Sequence, residues 1–295
     1  MIIDVHTHIG WLDRAPEYHI TADDVIRNME RWGIDRSCVL PLADSPEGGY
    51  RFSTTEQVLA ACERHPGRLV PFCLVDPRFG GNSPDMDFSD LLGEYRERGC
   101  VGIGEMVANL WINDPRAVNL YRQAGKFSLP ILFDMTSRVG EHYGVVDEPG
   151  LPRLEKVLLE TPETVFIGHG PTFWAEISPN SANEDRAGYP KGPIPRDGAV
   201  ARLMEKYPNL WADTSATSGY NALTRDASYG VEFLDRFQDK LLFGTDVCVG
   251  VAGEREMRIL TYLAKIREEG RLSEEAYGKI MHANAEKLLG LAGTR

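Results

Sequence analysis

Hydrophobic positions along this chain fall into two alternating patterns. Short, nearly continuous apolar runs alternate with longer stretches in which apolar residues recur every three or four positions; buried parallel strands give the first pattern and the helices covering them the second. The runs span Ile2 to Ile9, Ser37 to Leu42, Leu69 to Val75, Val101 to Glu105, Ile131 to Asp134, Val165 to His169, Leu210 to Asp213 and Leu241 to Asp246. Between them the pattern predicts helices from about Thr21 to Trp32, Ser53 to His65, Phe88 to Arg98, Pro115 to Lys126, Leu151 to Glu160, Ala199 to Lys206 and Val231 to Phe237. Two more, Glu254 to Glu269 and Ser273 to Leu289, follow the last strand. Thr21 ahead of Asp23 and Asp24 is a helix start, and Gly33 and Pro66-Gly67 are stops. Eight strand-helix units in 295 residues predict one domain, a closed α/β barrel of the (β/α)8 or TIM type, closed by the C-terminal helices. A doubly wound open sheet would place a glycine-rich turn after the first strand, where His6-Thr7-His8 stands instead.

Composition narrows the functional classes. With 42% hydrophobic and 26% charged residues the chain can bury a large core, and its net charge of −12 argues against binding nucleic acid or anionic lipid. A small-molecule substrate is the expected partner, and a homo-oligomer is compatible with the sequence. The start of the chain has no basic segment followed by an apolar one, and no later apolar run has membrane-spanning length, so a cytoplasmic location is expected. Five scattered cysteines without a C-x-x-C pair read as reduced, mostly buried thiols.

The polar residues at the strand ends carry the chemistry. Alternation on a strand puts His6 and His8 on one face with Asp4 below them, and imidazoles so placed form a chelating pair. The other strands end in Glu105, Asp134, His169, Asp213 and Asp246, at the rim where barrels of this type place working residues. Alternation pairs Ile103 with Glu105, Leu132 with Asp134, Ile167 with His169 and Gly244 with Asp246. Carboxylates converging in one pocket repel one another, and a bound cation relieves that; imidazole and carboxylate together suit zinc, manganese, iron or nickel.

At these residues the chain resembles the amidohydrolase superfamily, in its amidohydrolase 2 branch of metal-dependent barrel hydrolases and decarboxylases. The matching stretches are Ile3-Asp4-Val5-His6-Thr7-His8, Phe166-Ile167-Gly168-His169-Gly170, Leu242-Phe243-Gly244-Thr245-Asp246 and Asn284-Ala285-Glu286-Lys287-Leu288-Leu289-Gly290. The resemblance implies a divalent metal, zinc first, held by His6, His8 and Asp246, and water activated there for attack. Two departures stand out: many members carry a histidine where Asp134 stands, and binuclear members often carry a carboxylated lysine where Glu105 stands. Glu105 can bridge two ions, so one or two are expected, with His169 either a further ligand or an acid/base group. The mechanism expected is hydrolysis of an amide-like or lactone-like bond, Asp246 moving the water proton and His169 orienting or protonating substrate. Decarboxylation of an aromatic or unsaturated acid is the alternative, and a metal-free lactonase or binding protein a third.

Plainer readings stand beside these. Asp4 reads as a buried hydrogen-bond partner, Asp213 as a cap or brace of the loop after the seventh strand, and Asp134 either meets substrate or pairs with Arg138. The stretch from Gly170 to Gly198 is the longest without periodicity; Phe173, Trp174, Tyr189 and Lys191 would form a lid or pocket wall there, unless the loop is an oligomer contact. Arg225 and Arg138, following the seventh and fifth strands, are candidates to meet a substrate carboxylate.

Overall fold

The computed structural model describes residues 1–11, 19–48, 52–140, 142–179 and 186–292. The strands are β1 (Ile3–Thr7), β2 (Arg36–Val39), β3 (Leu69–Pro71), β4 (Ile103–Met106), β5 (Ile131–Thr136), β6 (Val145–Val146), β7 (Phe166–His169), β8 (Leu210–Asp213) and β9 (Leu241–Leu242). β1, β2 and β3 pair in parallel in one run, and β4, β5, β7, β8 and β9 in another. Backbone hydrogen bonds join the runs at both ends. Cys73 N–H donates to the Gly102 carbonyl at 3.0 Å, and Val5 and His8 N–H donate to the Phe243 and Val247 carbonyls at 3.0 and 3.1 Å. Eight strands therefore close as a (β/α)8 barrel, with short β6 pairing β5 outside the ring.

Two apolar layers follow from strand alternation. Ile3, Val5, Leu40, Phe72, Leu132, Ile167, Trp211 and Leu242 fill the barrel, and Ala285 and Leu289 of the C-terminal helix plug it. The larger layer lies between strands and helices; the helix Ala22–Trp32 contributes Val25 and Met29 to it. That helix starts on a Thr21–Asp24 capping box and stops at left-handed Gly33, as its sequence predicts.

Alternation fails at two places that matter. Ile3 and Val5 face the barrel interior, so an unbroken β1 would turn His6 toward the helices; the register shift between Asp4 and Thr7 turns it back inward. Asp4 consequently lies on the helix side beside Val25, Met29 and Ser37, not beneath the histidines as simple parity requires. β4 shifts register between Ile103 and Met106, so Ile103 packs in the outer layer while Glu105 faces the interior. Two irregularities thus aim two site residues.

Local differences from the sequence reading are short elements. Pro171–Ala175 and Ala216–Thr224 are helices within stretches lacking clear periodicity, and Lys279–Ala283 is a π-helical turn. No helix among the described residues is long and apolar enough to cross a membrane.

Candidate active site

The strand ends bring four ligand-type atoms together. His6 Nε2 and His8 Nε2 are 3.1 Å apart. Glu105 Oε2 lies 3.6 and 3.4 Å from them. Asp246 Oδ1 lies 3.7 and 3.4 Å from the same two nitrogens. Tetrahedral donors at ordinary zinc bond lengths are separated by about 3.4 Å, so the spacing of His6, His8 and Glu105 suits one divalent ion, with Asp246 at a similar distance from both rings. Asp246 adopts φ 58°, a left-handed conformation uncommon outside glycine, and its N–H donates to the His6 carbonyl at 2.8 Å. That bond ties the end of the last strand to the first.

The far sides of the rings are fixed. His6 Nδ1 donates to Asp213 Oδ2 at 2.8 Å and His8 Nδ1 to the Leu40 carbonyl at 2.8 Å, which leaves each Nε2 lone pair facing the other donors. His169 Nδ1 contacts Asp213 Oδ1 at 3.0 Å, and the Ser215 hydroxyl donates to that oxygen at 2.6 Å. Asp213 thus braces both His6 and His169. The structural reading of Asp213 understates this, whereas Asp4 is a brace: it accepts from His6 N–H at 3.1 Å and from the Thr245 hydroxyl at 2.6 Å.

Glu105, Asp134 and His169 form a second, looser group. His169 Nε2 stands 3.8 Å from Glu105 Oε1 and 3.9 Å from Asp134 Oδ2. Two glycines admit the Asp134 carboxylate: a Cβ on Gly144 would come within 2.5 Å of one oxygen, and a Cβ on Gly170 within 2.8 Å of the other. Asp134 accepts no hydrogen bond from the described residues.

Charge balance follows from these contacts. Burial opposes a charge on Asp213, but His169 and His6 hold its carboxyl well below the usual range. Burial likewise disfavours protonated His6 and His8, yet Asp213 beside the one and Asp246 and Glu105 beside the other hold both rings above the ordinary value. Burial also works against protonated His169, but Asp213 helps push it up to about 9. Burial, joined by repulsion from Glu105, pushes Asp134 well above the carboxylate range, and the Asp134 charge with burial raises the Tyr143 phenol.

A cavity of about 320 Å³ opens over these groups, walled by Phe52, Tyr143 and Cys248 and lined by no Arg or Lys among the described residues. Sequence reasoning missed Tyr143 and Cys248, although Cys248 stands two positions after Asp246. The cavity also excludes three expected residues. Trp174 is buried and donates from Nε1 to the Asp213 carbonyl at 3.1 Å, a brace beneath the site. Arg138 is exposed and makes no ion pair with Asp134. Arg225 is half-buried away from the cavity, its Nε and Nη2 meeting no hydrogen-bond partner. Of the loop residues, Phe173 is buried against β7 where Gly168 lacks a Cβ, Lys191 is exposed, and only Tyr189 reaches a cavity wall. The chain turns at Gly170, φ +95°, directly into a buried helix, so the start of this stretch belongs to the core; residues 180–185 lie outside the described residues. All five cysteines are free thiols.

Solved structures share this architecture at low sequence identity. An amidohydrolase from Burkholderia multivorans with bound zinc is 14% identical with a TM-score of 0.64, over 98% of this chain and 99% of that one. The 2,6-dihydroxybenzoate decarboxylase from Rhizobium is 15% identical with a TM-score of 0.61, over 99% of each chain. A probable 2-pyrone-4,6-dicarboxylic acid hydrolase from Acinetobacter baumannii is 16% identical with a TM-score of 0.58, over 98% of this chain and 99% of that one. No curated protein matches the sequence. The family model described as amidohydrolase, Amidohydro_2, matches residues 3–291, nearly the whole chain. The chain belongs to the amidohydrolase 2 family.

Proposed function

We propose that this protein is a metal-dependent hydrolase of a small molecule, opening a C–N or C–O bond of the amide or lactone type. The observation that carries the reading is the 3.1–3.7 Å spacing of the His6 and His8 Nε2 atoms from each other and from the Glu105 and Asp246 carboxylates, with both rings held from behind. A divalent ion in that place, zinc first and manganese, iron or nickel by the same donor chemistry, supplies polarisation of a substrate oxygen and lowers the pKa of water to ~7. The His6–His8–Glu105 set, with Asp246 beside it, is tighter than the Glu105–Asp134–His169 group, so one ion would be held there and His169 left to act on substrate.

The side chains divide the remaining work. Asp246 is 28% exposed toward the cavity, and its carboxylate takes the proton of the attacking water and returns it to the departing nitrogen or oxygen. His169, fixed by Asp213, presents Nε2 to the cavity, where it orients the carbonyl or protonates the leaving group. Tyr143 offers a phenol donor, and Phe52 an apolar wall that limits water.

A second reading rests on Asp134. A buried carboxyl beside His169 that accepts no hydrogen bond is placed to hand a proton to carbon, a step that decarboxylation of an aromatic or unsaturated acid needs and hydrolysis does not. The solved decarboxylase with the same fold supports keeping it. Zinc-loaded protein incubated in ¹⁸O-water and D2O with lactones, amides and aromatic acids separates the two. Label from water in a new carboxylate supports the hydrolase; released carbon dioxide with deuterium on product carbon replaces it with the decarboxylase. Turnover that survives complete removal of metal sinks both.

A further inference from the structure

Beyond Asp246 the active-site cavity opens into a second chamber of about 730 Å³, which shares Tyr143, Asp246 and Cys248 with it. The two spaces differ in their ionisable residues. The inner walls carry the metal-ligand type groups His8, Glu105, Asp134, His169 and Asp246 with Glu47 and no lining Arg or Lys, and the nearby Arg78 is occupied by Glu47 and Asp76 at 2.5 and 2.6 Å. The outer wall carries Arg255 and Arg258 with a single additional acid, Glu256, whose Oε2 accepts from Gly253 N–H at 2.9 Å.

Neither arginine has a carboxylate partner among the described residues, although the chain has 44 acidic residues against 32 Lys and Arg. Arg258 is nevertheless held in place. Its Nη2 donates to the Thr217 hydroxyl and its Cζ lies 4.8 Å from the centre of the Tyr220 ring, which leaves the rest of the guanidinium fork for the chamber. Arg255 is exposed.

Resting on the inner cavity as the catalytic centre, we propose that the outer chamber is a subsite for an anionic group of the substrate. Arg258 is its fixed anchor and Arg255 its second donor, so the substrate is a molecule with its reactive carbonyl at one end and a carboxylate or phosphate at the other. The two arginines at the outer end and the metal-ligand cluster at the inner end set the direction of binding, because the guanidinium groups hold the non-reacting anionic end.

Calorimetry on the zinc-loaded full chain tests this. The probes are succinate, glutarate and adipate, the monocarboxylates of matching chain length, and 3-phosphonopropionate. We expect the best two-ended anion to bind about tenfold or more tighter than its monocarboxylate, as a charged bidentate contact provides. That margin falls below about threefold in Arg258→Met and in part in Arg255→Met, and stays in the remote control Arg138→Met. Preference among the two-ended probes names the group as carboxylate or phosphate. No margin in the wild type, or a margin unchanged in both Arg258→Met and Arg255→Met, overturns the subsite. Zinc content measured on the same samples keeps the two readings apart. Zinc without a margin removes the subsite alone, and an arginine-dependent margin without zinc removes the metal reading alone.

Discussion

Asp213 Oδ2 accepts a 2.8 Å hydrogen bond from His6 Nδ1, and the other oxygen of the same carboxylate contacts His169 Nδ1 at 3.0 Å. One buried side chain therefore sets the tautomer and tilt of a proposed metal ligand and of a proposed acid/base group. An amide at this position offers one acceptor where two rings need one each. In Asp213→Asn we expect zinc affinity to fall by about 10–100-fold, the usual loss when a ligand histidine loses its carboxylate, with the Tm of the metal-free protein changing less. Competition with a chromophoric chelator measures it. An unchanged zinc affinity would mean that Asp213 braces only the loop.

Most of this site was legible because strand alternation is rigid where strands are regular. Leu132 with Asp134 and Ile167 with His169 each place an apolar residue in the barrel and the acid or imidazole above it. The reading failed where one residue of register is gained: at Asp4, turned to the helix side, and at Ile103, packed in the outer layer. A bulge is a tertiary compromise and leaves no periodic trace. Trp174, Arg138 and Arg225 were placed by position in the chain alone. Sequence position cannot say that the segment after Gly170 folds inward as a helix.

Removing the metal should be visible in stability. If the ion binds only the folded chain, a hundredfold excess over its Kd adds about 2.7 kcal/mol. At about 2–4 °C per kcal/mol for a chain of this size, chelation lowers Tm by about 5–10 °C. Elemental analysis of the untreated protein should give one equivalent that survives dialysis, since the donors around His6 and His8 are more tightly spaced than those around Asp134. A His6→Ala/His8→Ala double variant should hold no metal and show no response to the chelator. Two equivalents retained equally would assign Asp134 and His169 to a second ion.

Acid sensitivity has an identifiable contributor far from the site. Lys206 first and then Arg202 hold the Glu155 carboxyl at about 2, below its ordinary 4.5, although burial works the other way. A folded-state value below the unfolded one means that the stabilisation is present above pH 4.5 and is lost as pH falls toward 2. Glu155 is 27% exposed, so salt should weaken the effect. Urea midpoints followed from pH ~5 to pH ~2 should fall less steeply in Glu155→Gln than in the wild type. Equal slopes would assign the acid limb to other carboxylates.

The segment after His169 is anchored by a buried ion pair. Arg186 is 0% exposed, its Nε 2.6 Å from Glu176 Oε1, and its Nη1 and Nη2 donate to the Asp147 and Glu148 carbonyls at 3.1 and 3.2 Å. The Thr172 hydroxyl donates to the Arg186 carbonyl at 3.1 Å, so the backbone there is tied down as well. Arg186→Met keeps the side-chain volume but leaves Glu176 charged and unpaired in the core, at a cost of about 3–5 kcal/mol. Adding Glu176→Gln removes that stranded charge and should recover most of the loss. Urea unfolding of the two variants decides the matter. If the double variant is no more stable than Arg186→Met, the loss comes from the severed carbonyl contacts and the pair itself contributes little.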